Sequence, residues 1–258
     1  MQEVTVNLAG QKIRIAYIYA STKKFFDKYI TEELILNSHQ TTILIEIRPD
    51  DIKFERNKSA LEDKREGILQ RFFPDEYLET LAIYRKIAEL LIEKDILLFH
   101  GSVISVDQEG YLFTGKSGTG KSTHTRLWRE FFGKRAVMVN DDKPLLQITD
   151  SGVIAYGPPW DGKHRLSNNI AVPLKGLCML KRSPDNQIQR IDKREAYPIL
   201  LQQVFRSNNP ERLMKILSLL DKLAAHVPLY VAHCNMEKEA VMIVYEEMHR
   251  RYYGKRDE

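Results

Sequence analysis

Hydrophobic and polar positions alternate at the start of this chain. Glu3–Leu8 and Lys12–Tyr19 read as strands, with Ala9-Gly10 as the turn between them. Ser21 stands where it caps a helix through Leu36, although Phe25, Ile30, Leu34 and Ile35 fit a helical stripe only loosely. Thr42–Ile47 (TILIEI) predicts a strand that ends at Pro49-Asp50-Asp51. Asp51–Arg71 is so charged that periodicity assigns it no definite element. Pro74 and Asp75 open a helix to about Lys94, with Tyr77, Leu81, Tyr84, Ala88 and Leu91 along one face.

From Ile96 the pattern changes. Ile96–Phe99 and Ser102–Val106 are apolar and β-branched, and Tyr111–Thr114 follows the turn cluster Asp107–Gly110. A glycine-rich loop, a helix over Ser122–Phe132 and a strand over Ala136–Val139 come next. Leu145–Ile148 and Val153–Tyr156 read as a hairpin, and Gly176–Leu180 as a strand. Helices are predicted over Lys193–Phe205, Glu211–Ala225 and Lys238–Arg250, with a strand at Leu229–Ala232. There are no internal repeats. A boundary near Lys94 separates an N-terminal α+β unit, residues 1–94, from an α/β core, residues 95–258.

Composition narrows the class. At 258 residues the chain is long enough for a core domain plus a smaller one. A net charge of +4 is mildly basic, but the positive residues are scattered among 35 acidic ones, so no nucleic-acid footprint is expected. The basic cluster His249–Lys255 reads as a solvated helix end. Cys178 and Cys234 lie far apart in apolar runs, which predicts core residues rather than a disulfide or zinc site. Neither a signal peptide nor an apolar run of membrane-spanning length is visible, so a cytoplasmic protein without membrane partners is expected.

The strongest chemical signal is Gly115-Lys116-Ser117-Gly118-Thr119-Gly120-Lys121-Ser122, which satisfies G-x-x-x-x-G-K-[ST]. Glycines let the backbone curl so that N–H groups point at phosphates, Lys121 reaches the β- and γ-phosphates, and the Ser122 hydroxyl holds Mg²⁺. The helix beginning there, through Thr123, presents its positive end to the anion. A chance match in a chain this long is on the order of one in a hundred, and the preceding strand and following helix tighten the reading.

Ala136–Val139 ends in Asn140-Asp141-Asp142. Such a fold needs a strand-end carboxylate to fix Mg²⁺ on the phosphates. Two adjacent aspartates provide one for the metal and one to take a proton from a hydroxyl, their repulsion separating their proton affinities. Residue types alone leave open which does which. His100, after Ile96–Phe99, is by itself more often structural than functional.

These residues resemble the P-loop group that contains HPr kinase/phosphorylase and ATP-dependent phosphoenolpyruvate carboxykinase. The likeness lies in His100-Gly101, the loop Gly115–Ser122 and the pair Asp141-Asp142, and it covers roughly Leu97–Leu180. It is closest to compact bacterial HPr-kinase-like proteins, which share Thr123-His-Thr-Arg-Leu-Trp128, Gly157-Pro-Pro-Trp-Asp-Gly-Lys163 and Val172-Pro-Leu-Lys-Gly-Leu177. The resemblance implies Asp141 as base beside the acceptor hydroxyl, Asp142 as metal ligand with Ser122, and His100 in support of the base. It implies ATP and Mg²⁺ as nucleotide and metal, and serine as acceptor, in a peptide, a small protein or the free amino acid. The E-I-R-G-L-G stretch of HPr kinase is absent, so the likeness does not extend to HPr itself or to the reverse phosphorolysis.

The loop Tyr156–Asn169 gathers Trp160, Lys163, His164 and Arg165 among turn formers. Lys163 or Arg165 is placed to neutralise charge on a transferred phosphoryl group, and Trp160 to wall the acceptor pocket. Trp128 is expected in the core, and His226, His233 and Lys175 are expected to be structural. The expectation is therefore an ATP- and Mg²⁺-dependent kinase acting on a hydroxyl, with Asp141, His100, Lys121 and Lys163 as catalytic residues. The alternative is a nucleotide-gated binding module with little turnover, which needs only one metal carboxylate.

Overall fold

A computed structural model describes residues 1–31, 42–162 and 164–250. The chain is mixed α/β and divides into two compact units, Met1–Lys94 and Asp95–Glu258.

In the first unit, β1 (Gln2–Leu8) and β2 (Gln11–Tyr17) form an antiparallel hairpin, and β3 (Ile43–Glu46) pairs parallel to β2. Alternation explains the pair: Val4, Val6, Leu8, Ile13, Ile15 and Tyr17 all face inward and are buried. The helix expected from Ser21 to Leu36 is shorter. It runs only over α1 (Ser21–Phe25), followed by a tight turn at Asp27–Tyr29; residues 32–36 of that expectation lie outside the described residues.

The charged stretch with no predicted element is a helix, α2 (Pro49–Glu66), packed on α3 (Asp75–Leu91). Pro49 opens α2, the Arg48 N–H donates to the Asp51 carboxylate, and left-handed Gly67 ends it. Ion pairs replace an apolar stripe here. Arg85 meets Glu55 at 2.5 Å and Lys86 meets Asp51 at 2.7 Å. In α3 the buried apolar residues are Leu78, Ala82, Ile83, Ile87, Ala88 and Leu91. Of the predicted stripe, Ala88 and Leu91 are buried, Leu81 and Tyr84 are half-buried, and Tyr77 alone is exposed. Glu79 is wholly buried as well, accepting from the N–H groups of Ile18 (2.6 Å) and Tyr19 (3.1 Å) and from the Thr22 hydroxyl.

The second unit is a curled mixed sheet with helices. Its strands are β4 (Ile96–Leu98), β5 (Ser102–Val106), β6 (Glu109–Thr114), β7 (Ala136–Asn140), β8 (Leu145–Thr149), β9 (Gly152–Tyr156), β10 (Ala171–Arg182), β11 (Gln187–Ile191) and β12 (Leu229–Cys234). The order is β4-β8-β9-β10-β6-β5-β7, with β12 pairing both β10 and β11. Strand β10 is much longer than predicted. Its first residues run antiparallel to β9 and the rest run parallel to β6 and β12, so one strand bends from one part of the sheet into the other. Strand β11 escapes the sequence pattern because it is mostly polar and pairs only with β12.

The helices are α4 (Lys121–Phe132), α5 (Lys193–Gln203), α6 (Pro210–His226) and α7 (Lys238–His249). Trp128 of α4 is fully buried among Tyr111, Phe113, Phe132 and Tyr245. Its indole N–H donates to His124 Nε2 at 3.0 Å, which satisfies a donor that burial would otherwise strand. Cys178 is buried in the core and Cys234 is half-buried. Among the described residues no helix is long and apolar enough to cross a membrane. Of the basic C-terminal cluster, residues 251–255 lie outside the described residues.

Candidate functional site

Strand β6 delivers the glycine-rich loop, and β7 delivers the aspartates, to the same edge of the sheet. The reason is topological: both strands run antiparallel to β5, which lies between them, so their carboxyl ends point one way. His100 and Gly101 lead into β5 from that edge.

Gly115 is buried, Lys116, Ser117 and Gly118 are exposed, and Thr119 and Gly120 are half-buried. Gly118 and Gly120 have φ of 80° and 104°, a region costly for any residue with a Cβ. They turn the chain sharply into α4. Thr119 steadies the loop from within, its hydroxyl donating to the Lys116 carbonyl at 2.9 Å. Helix α4 opens on Gly120 with no side-chain cap and no acidic residue in its first turn. Its N–H groups and positive dipole end are left available to an anion. Lys121 folds back over the loop, its ammonium donating to the carbonyls of Gly115 (3.0 Å) and Lys116 (3.4 Å). Burial lowers its proton affinity, and Asp142 and Asp141 offset part of this. Ser122 is exposed and Thr123 half-buried on the first turn.

Register decides what faces each aspartate. Val103 lies opposite Asn140 across the β5–β7 ladder. Continuing outward, Ser102 meets Asp141, its hydroxyl 3.0 Å from the Asp141 carbonyl and 3.2 Å from Oδ1. One step further the Gly101 N–H donates to the Asp142 carbonyl at 3.0 Å. His100 Nε2 then lies 3.4 Å from Asp142 Oδ1, and Lys143 Nζ 3.2 Å from Oδ2. The Ser122 hydroxyl lies on the Asp141 side of the pair and lowers that carboxyl's proton affinity. The expected grouping was His100 with Asp141 and Ser122 with Asp142. In the structure His100 lies beside Asp142, because the register of β5 against β7 sets Ser102 opposite Asp141 and carries His100 one step further out.

The two carboxylates are also electrostatically unlike. Burial raises the proton affinity of Asp141 above the usual carboxylate range, against the hydrogen bonds from Ser102 and Ser122. Burial acts on Asp142 in the same direction, but the bond to His100 and the charge of Lys143 outweigh it, and the net shift is downward.

Asn140, wholly buried, organises this edge. Its Nδ2 donates to the carbonyls of Pro158 and Trp160, both at 3.0 Å. Its Oδ1 accepts from the N–H groups of Asp142 (2.9 Å) and Lys143 (2.5 Å). Asn168 fastens the far end of the same loop to β7, donating to the carbonyls of Val139 (3.1 Å) and Met138 (2.8 Å). A Cβ at Gly162 would fall 2.8 Å from Asp141 Oδ2, so the loop backbone lies directly on that carboxylate. Trp160 is buried, while His164 and Arg165 are exposed. Lys163 lies outside the described residues. Arg126 is exposed and engaged by Glu130, one turn along α4 at 2.6 Å.

Sequence reading missed Ser102, Asn140 and Asn168 as parts of this edge. Asn140 stood in the N-D-D triplet, but nothing in a triplet tells a structural asparagine from a turn former. Among the described residues no three His, Cys, Asp or Glu side chains cluster as a metal site. A cation here would rest on Asp141, Ser122 and oxygens brought by its ligand, a donor set suited to a small hard ion.

No protein-family model matches the chain, and no curated protein matches it. Among solved structures it is similar to the Hpr(Ser) kinase/phosphatase from Coxiella burnetii, at 14% identity and a TM-score of 0.34, over 59% of this chain and 99% of that one. At that identity and score the likeness is one of coarse fold, and no residue role follows from it.

Proposed function

We propose that this chain is a phosphotransferase that uses ATP and Mg²⁺ and acts on a hydroxyl acceptor, a serine in a peptide, in a small protein or as the free amino acid. The observation that carries the reading is the meeting, at one sheet edge, of an uncapped helix end behind a glycine-rich loop with a lysine and two unlike carboxylates. Backbone N–H groups from Gly118 to Lys121 hold the terminal phosphates, and Lys121 neutralises charge as it spreads over the γ-phosphoryl oxygens. Ser122 and Asp141 hold Mg²⁺, which when bound offsets the remaining phosphate charge.

Asp142, aligned by His100 and Lys143, faces the acceptor and receives its proton. This exchanges the roles that the resemblance implied for the two aspartates. A lowered proton affinity does not disqualify Asp142, because phosphoryl transfer depends far more on placing the hydroxyl than on strong basicity.

The first test is Mg²⁺-dependent ATP binding by the full chain beside Lys121→Ala, followed by transfer of labelled phosphate to serine-bearing acceptors. Asp141→Asn is expected to abolish the Mg²⁺ dependence of binding. Asp142→Asn is expected to keep ATP affinity and lose turnover by about 10²–10⁴-fold, as for a general base. A wild-type chain that binds no ATP with Mg²⁺ present would end this reading. Full turnover in Asp142→Asn would end the role given to that residue.

A further inference from the structure

The glycine-rich loop has two unlike flanks. On the β7 side stand the two carboxylates. On the β10 side the loop borders a cavity of about 490 Å³, walled by Met179, Leu180 and Arg182 of β10 and by Ile199 and Gln203 of α5. That volume falls in the range of about 300–1,000 Å³ usual for small-molecule sites. Strands β6 and β10 are parallel, with Thr114 opposite Met179, so the cavity opens at the carboxyl ends of parallel strands, where ligands of such sheets bind.

Two features give this cavity chemistry. Met179, almost wholly buried, and Ile199 supply an apolar wall. Gln203 is 9% exposed, and its Oε1 has no hydrogen-bond partner. Buried amide oxygens are nearly always paired; this one is closed off as the side chain stands, and a rotation of the amide toward the cavity gives a ligand's donor access to it. The position of Gln203 is fixed by its backbone rather than by any ligand. Its carbonyl accepts from the His100 N–H at 2.7 Å, Val204 bridges to Phe99, and the Phe205 N–H donates to the Leu98 carbonyl at 2.9 Å. Arg182 ties the opposite wall to the loop by donating to the Gly118 carbonyl.

We propose that this cavity is the base subsite for the nucleotide and that the side-chain amide of Gln203 selects adenine. The proposal rests on the loop being the phosphate site. With the γ-phosphoryl group directed to the carboxylate flank, the nucleoside end leaves toward β10, and a flat base packs against Met179 and Ile199. A glutamine amide carries one donor and one acceptor side by side. Adenine answers with its exocyclic amine and a ring nitrogen, whereas the corresponding edge of guanine offers two acceptors and leaves Oε1 unpaired.

The test is titration of the full-length protein, with Mg²⁺, by ATP, GTP and inorganic tripolyphosphate. The wild type is expected to bind ATP at least about tenfold more tightly than GTP or tripolyphosphate, the size of effect that one extra good base contact brings. Gln203→Leu, close in size, is expected to erase the preference for ATP over GTP and leave tripolyphosphate affinity unchanged. Ile199→Trp, at a half-buried lining position, is expected to weaken ATP and spare tripolyphosphate. Equal binding of ATP and tripolyphosphate by the wild type would overturn the base subsite while leaving the phosphate site standing. Equal binding of ATP and GTP, or a Gln203→Leu variant that keeps the preference, would overturn the role of Gln203. Failure of all three ligands to bind would overturn the phosphate site and this proposal with it.

Discussion

Replacing Asn140 by alanine removes a side chain with no solvent exposure and four hydrogen bonds, two given to the carbonyls of Pro158 and Trp160 and two received from the N–H groups of Asp142 and Lys143. Each such bond contributes roughly 1 kcal/mol net, and a buried group left unpaired costs more. The expected loss is therefore about 4 kcal/mol, or a fall of roughly 10 °C in the melting temperature of the unit that contains it. Urea unfolding with intrinsic fluorescence reads the first, since both tryptophans, Trp128 and Trp160, lie in that unit. Asn140→Asp is the sharper control. It keeps the oxygen that accepts from both N–H groups but sets a second carboxylate oxygen against two carbonyl oxygens, and is expected to lose at least as much. A loss below about 1 kcal/mol in both variants would refute the view that this side chain holds the aspartates and the following loop in place.

Two further predictions concern stability. Burial pushes the His124 imidazole down from the usual 6.5 to about 4, so the folded state resists protonation that the unfolded chain accepts. The associated stability is fully present above about pH 6.5 and is lost progressively as pH falls toward 4, by about 3 kcal/mol in all; urea midpoints across that window should slope less in His124→Gln, and parallel slopes would refute the assignment. Glu79→Gln sets an amide among three donors and is expected to cost the first unit about 2 kcal/mol; an unchanged unfolding transition would show that the buried carboxylate is not what holds Ile18–Thr22 on α3.

Legibility followed the range of the interaction. The turn of Gly115–Ser122 and the helix behind it were readable because loop conformation and helix start depend on residues within a few positions. The inward faces of β1 and β2 were readable for the same reason, since alternation is a local property. Helix α2 was not, because its hold on α3 comes from Arg85 and Lys86, and charge partners distant in sequence leave no periodic trace. The burial of Glu79 on α3 was not readable either, since a hydrophobic stripe excludes a carboxylate by construction.

The chemistry divides along the same line. Sequence by itself determined that a curled glycine loop, a lysine, a serine and two strand-end carboxylates belong to one chain in an order suited to phosphate chemistry. Only the tertiary structure decided that His100 meets Asp142 and Ser102 meets Asp141, because that depends on the register of β5 against β7, which neither strand's own pattern contains. It also decided that Gln203, at the end of a helix far along the chain, closes a cavity beside the loop. A glutamine shows its function only when burial removes water and leaves its oxygen without a partner.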